Sequence, residues 1–182
     1  AEEHGADIIV ATGTDEGGVI PSGCMGTFTI VPAIVDAVKS VPVMAAGGIN
    51  DIRGVRAAFA LGAQGVYVGT RFIASTECPA AQNVKDMIVA GSGEELIAVT
   101  PNERSLPTPA AIGYNRRMLA GEPAEAIHKE IMAKGGLGPA MLHGDVNKGI
   151  ISVNTGISTI RSIKPVAEIV DELMADFRSS SR

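Results

Sequence analysis

The sequence predicts an α/β fold in which strands and helices alternate and the strands form a parallel sheet. Three short apolar runs, at residues 7–12, 41–46 and 65–69, are each closed by glycine or threonine. Continuous apolar runs of this kind are typical of strands buried on both faces of a parallel sheet. Helical segments follow the first two runs, so a βα unit repeats at intervals of roughly 25 to 35 residues.

Two helices are predicted between these strands, over residues 27–40 and about 51–61. Apolar side chains recur on one face of the first helix at helical spacing, at Ile30, Ile34, Val35 and Val38. Asn50 or Asp51 can cap the start of the second helix, and Gly62 can end it. Both helices can therefore cover one face of the sheet.

The pattern changes after Phe72, where proline and glycine separate three helical runs, at residues 80–90, 110–119 and 124–133. Residues 105–109 and 134–139 are predicted to be loops. An amphipathic helix is predicted over residues 165–177, followed by a frayed tail. We therefore expect three parts: barrel βα units in 1–78, a helical lid or insertion in 79–150, and the final barrel helix with its tail in 151–182.

Three parallel strands do not make a complete sheet, because their edges and one apolar face would be exposed. A full (β/α)8 barrel takes about 250 residues. We therefore expect the chain to hold the last three βα units of a (β/α)8 (TIM) barrel whose earlier strands lie upstream or on another chain. The alternative is that some strands escape recognition in the sequence.

The composition excludes several classes of protein. The chain has 182 residues, a net charge of -5 and 15 basic residues, which argues against nucleic-acid binding. No apolar run reaches the roughly 18 residues of a membrane helix, and the first residues do not resemble a signal peptide. Cys24 and Cys78 are far apart, which predicts a cytoplasmic protein without a disulfide framework. Two cysteines and three scattered histidines show no metal-ligand spacing.

Glycines at the strand ends indicate a phosphate site. Gly47 and Gly48 follow the second strand and precede a helix, and Gly69 and Thr70 follow the third strand. Glycine lets backbone N–H groups approach phosphate oxygens, and a helix N-terminus adds free donors and a favourable dipole. The alternative is that these glycines only form tight turns.

The loop after the first strand is a second candidate site, because strand ends on this side of a barrel carry catalytic and cofactor groups. Gly17 and Gly18 could let a flat ring or a phosphate lie against the backbone. Asp15 and Glu16 could hold a polar group, or could form only a solvated acidic turn.

Several motifs, in this order, resemble the nitronate monooxygenase family, which also contains FMN-dependent enoyl-ACP reductase II and an NADH:quinone reductase branch. They are TGTDEGG at 12–18, GTFTIVP at 26–32, VPVMAAGGI at 41–49, GVYVGTRF at 65–72 and GISTI at 156–160. The match is loose across residues 79–150.

The resemblance implies a (β/α)8 barrel that binds FMN without a covalent bond, with the units seen here as the sixth, seventh and eighth. It implies that the FMN phosphate is held by Ala46, Gly47, Gly48, Gly69 and Thr70. It also places Gly17 and Gly18 beside the ribityl chain and the phosphate.

The chain departs from the family pattern at Val19, where members with established activity usually have histidine. Valine cannot exchange a proton, so the catalytic residue is unassigned. His143 follows a glycine-rich loop and is a candidate to swing over the flavin, and His128 also lies in the predicted lid. A surface or capping role is the alternative for both histidines.

The leading functional hypothesis is the oxidation of a nitronate or similar small substrate by O2 on FMN. One alternative is the reduction of an enoyl-ACP or quinone on the same FMN, for which NAD(P)H could be the electron donor. The residues are also compatible with a flavin-free barrel enzyme for a phosphorylated substrate, or with an inactive barrel fragment. The expected partners are a small-molecule substrate and either a second copy or another chain that completes the barrel.

Overall fold

A parallel three-stranded sheet organises the first part of the chain. The computed structural model describes residues 1–20, 23 and 25–177. The strands β1 (Ile9–Thr12), β2 (Val43–Ala46) and β3 (Gly65–Tyr67) lie in the order β1-β2-β3, and all pairs are parallel. The prediction of an α/β fold with three parallel strands is confirmed, with each strand slightly shorter than its apolar run.

The two predicted helices are present as α1 (Thr27–Ala37) and α2 (Ile52–Ala60). The first ends three residues earlier than predicted, because Val38 is extended and the chain turns there toward β2. The second begins at the predicted cap, where the Asp51 carboxylate accepts hydrogen bonds from two N–H groups of the first turn.

The two faces of the sheet have different environments. Ala11, Val43 and Ala45 are buried against the helices, and α8 (Val166–Leu173) adds Ile169 and Leu173 to the same core. Side chains alternate across a strand, so the intervening residues point to the other face. That opposite face is open within the described residues, as the exposed side chains of its members show: Val10 is 42% exposed and Tyr67 is 63% exposed.

Residues 79–150 are not purely helical, which corrects the expectation of a helical insertion. Strands β4 (Ile97–Thr100) and β5 (Glu103–Ser105) form an antiparallel hairpin. The sequence analysis did not predict this hairpin, because its strands are only four and three residues long. Pro101 and Asn102, which lie between the strands, are nevertheless residues typical of a turn.

The remaining helices mostly follow the prediction. They are α3 (Thr70–Ile73), α4 (Gln82–Ala90), α5 (Pro109–Leu119), α6 (Ala124–Ala133) and α7 (Gly138–Met141). Two short ones, α3 and α7, were not predicted, and α7 begins inside a segment expected to be a loop. Short 3-10 helices lie at Glu2–His4, Gly93–Glu95 and Ile157–Thr159. None of the helices in the described ranges is long and apolar enough to cross a membrane.

Glu2 holds the connection between α1 and β2. Its carboxylate accepts hydrogen bonds from the N–H groups of Lys39 (3.0 Å), Ser40 (2.7 Å) and Val41 (3.3 Å) and from the Ser40 hydroxyl (2.7 Å). These bonds, led by that of the Ser40 hydroxyl, lower the pKa of Glu2 from 4.5 to about 2.

The lowered pKa predicts how Glu2 affects stability. A carboxyl with a lowered folded-state pKa stabilises the protein above its unfolded-state pKa, and this contribution is lost as the pH falls toward the folded-state value. We expect Glu2→Gln to be less stable than the wild type near neutral pH, with the difference shrinking below about pH 4.5. Urea unfolding at several pH values measures this, and a pH-independent difference would contradict it.

Candidate functional site

A cleft of about 400 Å³ opens at the carboxyl ends of β1, β2 and β3. All seven residues predicted to hold a cofactor line it: Gly17, Gly18, Ala46, Gly47, Gly48, Gly69 and Thr70. They come from three separate segments of the chain, and the parallel sheet brings these together at one edge. The rest of the lining is Val10, Thr12, Glu16, Ile49, Tyr67, Ile73 and Asn154.

The loop after β2 needs glycine at two positions. Gly47 and Gly48 have φ angles of +105° and +71°, which side chains rarely adopt. A Cβ on Gly47 would also lie 2.6 Å from the Thr27 hydroxyl oxygen. The backbone N–H groups of Gly47 and Gly48 donate to no other described residue. These two donors are therefore available to a ligand.

The N-terminus of α2 supplies fewer free donors than the phosphate-site argument expects, because Asp51 accepts from two of its N–H groups. The Asp51 carboxylate accepts hydrogen bonds from the N–H groups of Arg53 (2.9 Å) and Gly54 (3.3 Å). Its negative charge also offsets the positive end of the helix dipole. An anion in the cleft would therefore depend on the strand-end glycines more than on α2.

Asn154 connects the strand-end loops and was not predicted as a site residue. Its side chain forms two hydrogen bonds with the Asn50 side chain, at 3.0 and 2.8 Å, and both residues are buried. Its N–H donates to the Thr70 hydroxyl oxygen at 3.0 Å, which leaves the hydroxyl hydrogen of Thr70 free to donate. Asn154 and Asn50 are 104 residues apart, so local spacing gave no signal of this pair.

The glycine loop, which we define as residues 13–20, is fastened through Asp15. The Asp15 carboxylate accepts hydrogen bonds from the Thr27 N–H (2.7 Å) and the Thr155 hydroxyl (3.2 Å). Burial raises the pKa of Asp15, but these hydrogen bonds and the charge of Arg104 outweigh burial, so the net pKa is lowered. Asp15 is therefore an ionised structural residue of the loop.

Glu16 has a different environment, although it follows Asp15 directly. It lines the cleft, and its carboxylate forms no hydrogen bond or ion pair with any other described residue. Burial raises the pKa of Glu16, and the charge of Arg104 offsets only part of the rise. The two neighbouring carboxylates thus divide into one that holds the loop and one that faces the ligand space.

The β4–β5 hairpin holds the glycine loop from the other side. The Ile20 N–H donates to the Asn102 carbonyl oxygen at 2.7 Å, and Val19 bridges to Glu103. The Arg104 guanidinium donates to the carbonyl oxygen of Thr14. The segment 79–150 therefore contacts the glycine loop through its hairpin.

The remaining sequence candidates lie elsewhere. Val19 is 61% exposed and is not part of the cleft lining. His143 is exposed after α7 and also does not line the cleft. His128 on α6 contacts the Glu103 carboxylate at 3.3 Å. Cys24 and the tail at 178–182 lie outside the described residues.

The fold and the cleft define an α/β protein with a candidate ligand site at the carboxyl ends of parallel strands. Such sites are typical of α/β enzymes that bind a phosphorylated cofactor or substrate. In the part of the chain that the structure describes, no group of three His, Cys, Asp or Glu side chains could hold a metal ion.

The chain belongs to the nitronate monooxygenase family, whose profile matches residues 1–176. It is 40% identical over 126 residues to a Staphylococcus aureus (strain JH9) protein named "Probable nitronate monooxygenase". This match covers 65% of the chain and 34% of that protein. The family resemblance expected from the sequence motifs is thereby confirmed.

Two solved structures are similar to this chain along nearly its whole length. FabK from Thermotoga maritima superposes with a TM-score of 0.86 and 34% identity, covering 98% of this chain and 57% of that one. A nitroalkane oxidase from Streptomyces ansochromogenes shares the fold at a TM-score of 0.75 and 24% identity, covering 98% of this chain and 54% of that one. The chain spans about a third of its curated relative and little more than half of these structures.

Proposed function

We propose that the protein carrying this chain is an FMN-dependent oxidoreductase of the nitronate monooxygenase type. In this proposal it oxidises a nitronate or a similar small substrate with O2. The observation that carries the proposal is the cleft in which three glycine-bearing segments meet. Membership of the nitronate monooxygenase family supports it.

The residues of the cleft fit FMN. Gly47 and Gly48 offer N–H donors without side chains in the way, and Thr70 has a free hydroxyl hydrogen, so these residues would hold the phosphate. Gly17 and Gly18 would lie beside the ribityl chain. When bound, FMN supplies electron transfer between the substrate and O2.

The apolar part of the lining would contact the flavin ring and exclude water from it. Val10, Ile49, Tyr67 and Ile73 provide this surface. A volume of about 400 Å³ lies within the range of small-molecule sites.

The proposal includes the position of this chain in the whole protein. We assign β1, β2 and β3 to the sixth, seventh and eighth strands of a (β/α)8 barrel. The open face of the sheet, with Val10 and Tyr67, is then the barrel interior. Residues 79–150 would form a lid that shapes the substrate pocket, and α8 would be the last barrel helix.

The alternative function is the reduction of an enoyl-ACP or a quinone by NAD(P)H on the same FMN, and the likeness to FabK favours its enoyl-ACP form. Anaerobic addition of NAD(P)H separates the two functions. Rapid bleaching of the flavin would favour the reductase, since a nitronate oxidase needs no nicotinamide.

Native mass spectrometry tests the FMN site, because it counts flavins per chain in the purified protein. We expect one FMN per chain in the wild type and a weaker complex in Gly69→Ala. Gly69 has a negative φ of -114° and an added Cβ would meet no atom within 4 Å, so the variant should fold normally. A methyl group beside the phosphate should weaken FMN binding by about tenfold or more, comparable to the loss of one hydrogen bond.

Gly113→Ala is the matched control, since Gly113 lies within α5 and an added Cβ also meets nothing within 4 Å. It should leave FMN affinity unchanged and stabilise the fold by up to about 1 kcal/mol. A wild-type protein without FMN would contradict the proposed function. Equal FMN affinity in Gly69→Ala and the wild type would contradict the phosphate position.

A further inference from the structure

The described lining of the cleft carries no cationic side chain that would attract an anion. Among the described residues that line it, Glu16 is the only carboxylate, and no lysine, arginine or histidine is present. The glycine N–H donors are assigned to the FMN phosphate in the proposed function. A second anion, such as a preformed nitronate, would find no cationic side chain in this lining and would meet the negative charge of Glu16.

The position of Glu16 places its charge on the ligand side of the glycine loop. Its Oε2 lies 3.7 Å from the point that a Cβ on Gly18 would occupy, so the carboxylate lies over Gly18. Gly18 itself lines the cleft. The carboxylate is therefore next to the surface on which a ligand would rest.

The partners of the two neighbouring carboxylates indicate which one can exchange protons. Asp15 is held by Thr27 and Thr155, and these bonds stabilise its ionised form. Glu16 has no such partner in the described part of the chain. A free, half-buried carboxyl group with a raised pKa has the properties of a general base.

We propose that Glu16 is the proton-accepting residue of the cleft, and that the substrate enters as a neutral carbon acid, such as a nitroalkane, and is ionised there. This inference rests on the proposed flavin-dependent function. It also gives the cleft a proton-accepting group where Val19 cannot provide one.

The step balances without any further reactant. A Glu16 oxygen takes the proton from the carbon that bears the nitro group, and the C–H bond breaks. The electron pair stays on the substrate, which becomes the nitronate, and Glu16 becomes a neutral carboxyl group. Because ionisation moves the negative charge from Glu16 to the substrate, the repulsion that an incoming anion would meet is avoided.

Arg104 is a positioning residue for this step. Its guanidinium holds the loop through the carbonyl oxygen of Thr14 and lies 3.4 Å from the carbonyl oxygen of Glu16. Its charge lowers the pKa of Glu16 and so counters part of the effect of burial. The charge of Arg104 thereby favours the ionised form of Glu16, which is the form that accepts a proton.

The test compares nitroethane with its preformed nitronate as substrates of the FMN-loaded protein that carries this chain. We expect Glu16→Gln to lower kcat/KM for nitroethane by about 100-fold or more, the usual contribution of a general base. Activity on the preformed nitronate should be at least that of the wild type, because glutamine removes the charge that repels this anion, and the FMN content should stay close to that of the wild type. Glu16→Asp should keep part of the nitroethane activity that Glu16→Gln loses. Glu125→Gln, on the exposed side of α6, is the control and should leave the activity on both substrates unchanged.

A readout without turnover completes the test. The wild type, kept anaerobic in D2O, should catalyse exchange of the acidic C–H hydrogens of nitroethane, and Glu16→Gln should not. If Glu16→Gln lowers kcat/KM equally for nitroethane and the nitronate, Glu16 has a structural role. If it lowers kcat/KM for neither, Glu16 does not take part in the reaction. A flavin-loaded wild type that acts only on the nitronate, or on neither probe, would overturn the inference, whereas a protein that holds no FMN would overturn the proposed function itself.

Discussion

Replacing Gly17 with alanine is expected to destabilise the protein strongly and to destroy the cleft. An added Cβ would lie 2.4 Å from both the Asn154 nitrogen and the Val153 carbonyl carbon. These are backbone atoms of a buried segment, so they cannot rotate away as a flexible side chain would. We expect a loss of at least about 2 kcal/mol in the free energy of unfolding and a Tm lower by roughly 5–10 °C.

Gly18→Ala is the matched control, because it adds the same methyl group one residue further along the loop. There the Cβ would meet only the Glu16 carboxylate, at 3.7 Å, and φ is not positive. The Tm of Gly18→Ala should remain within about 3 °C of the wild type. Thermal unfolding of the two variants checks this, and similar Tm values would show that the loop does not pack on Val153 and Asn154 as described.

Asn154→Ala is also expected to cause a large loss in the free energy of unfolding. Removing this amide leaves the buried Asn50 side chain without its two hydrogen bonds, and the Gly156 N–H loses its acceptor, which lies at 2.9 Å. Unsatisfied buried polar groups cost about 1–3 kcal/mol each, so a loss of about 2–4 kcal/mol is expected. The Asn147→Ala variant removes an exposed amide and should have almost no effect.

A double-mutant cycle isolates the contribution of the pair. If Asn50 and Asn154 stabilise mainly each other, Asn50→Ala combined with Asn154→Ala should cost less than the sum of the single changes. In chemical denaturation, we expect the free energy of unfolding lost by the double variant to be about 1–2 kcal/mol smaller than the sum of the losses of the two single variants. Additive effects would mean that each amide acts through different partners.

The strands and their glycines could be predicted because each feature is local. A run such as residues 41–46 shows its buried strand character within six residues, and Gly47 and Gly48 directly follow it. Parallel strands place all their carboxyl ends at one edge, which predicted that Gly48 and Gly69 would meet, and the family resemblance implied that Gly17 would join them. The structure places all three in the lining of one cleft.

The features that escaped prediction depend on distant contacts. Nothing near Asn154 in the sequence indicates that Asn50 will pair with it, although the apolar residues Ile150, Ile151 and Val153 could have marked a buried segment. Asp15 and Glu16 are adjacent and chemically similar, but the carboxylate of Asp15 is hydrogen-bonded and that of Glu16 has no hydrogen-bond partner among the described residues. Only the positions of Thr27 and Thr155 distinguish them.

The contact between the hairpin and the glycine loop also limits which segments this chain can exchange with a relative. Asn102 and Arg104 hold the backbone of the loop, so the loop and the hairpin must match each other in length and shape. A chimera that takes the helices of 79–150 from a relative should keep the native residues 97–105. In recombination between relatives, a crossover between the loop and the hairpin would separate two segments that fit only as a pair.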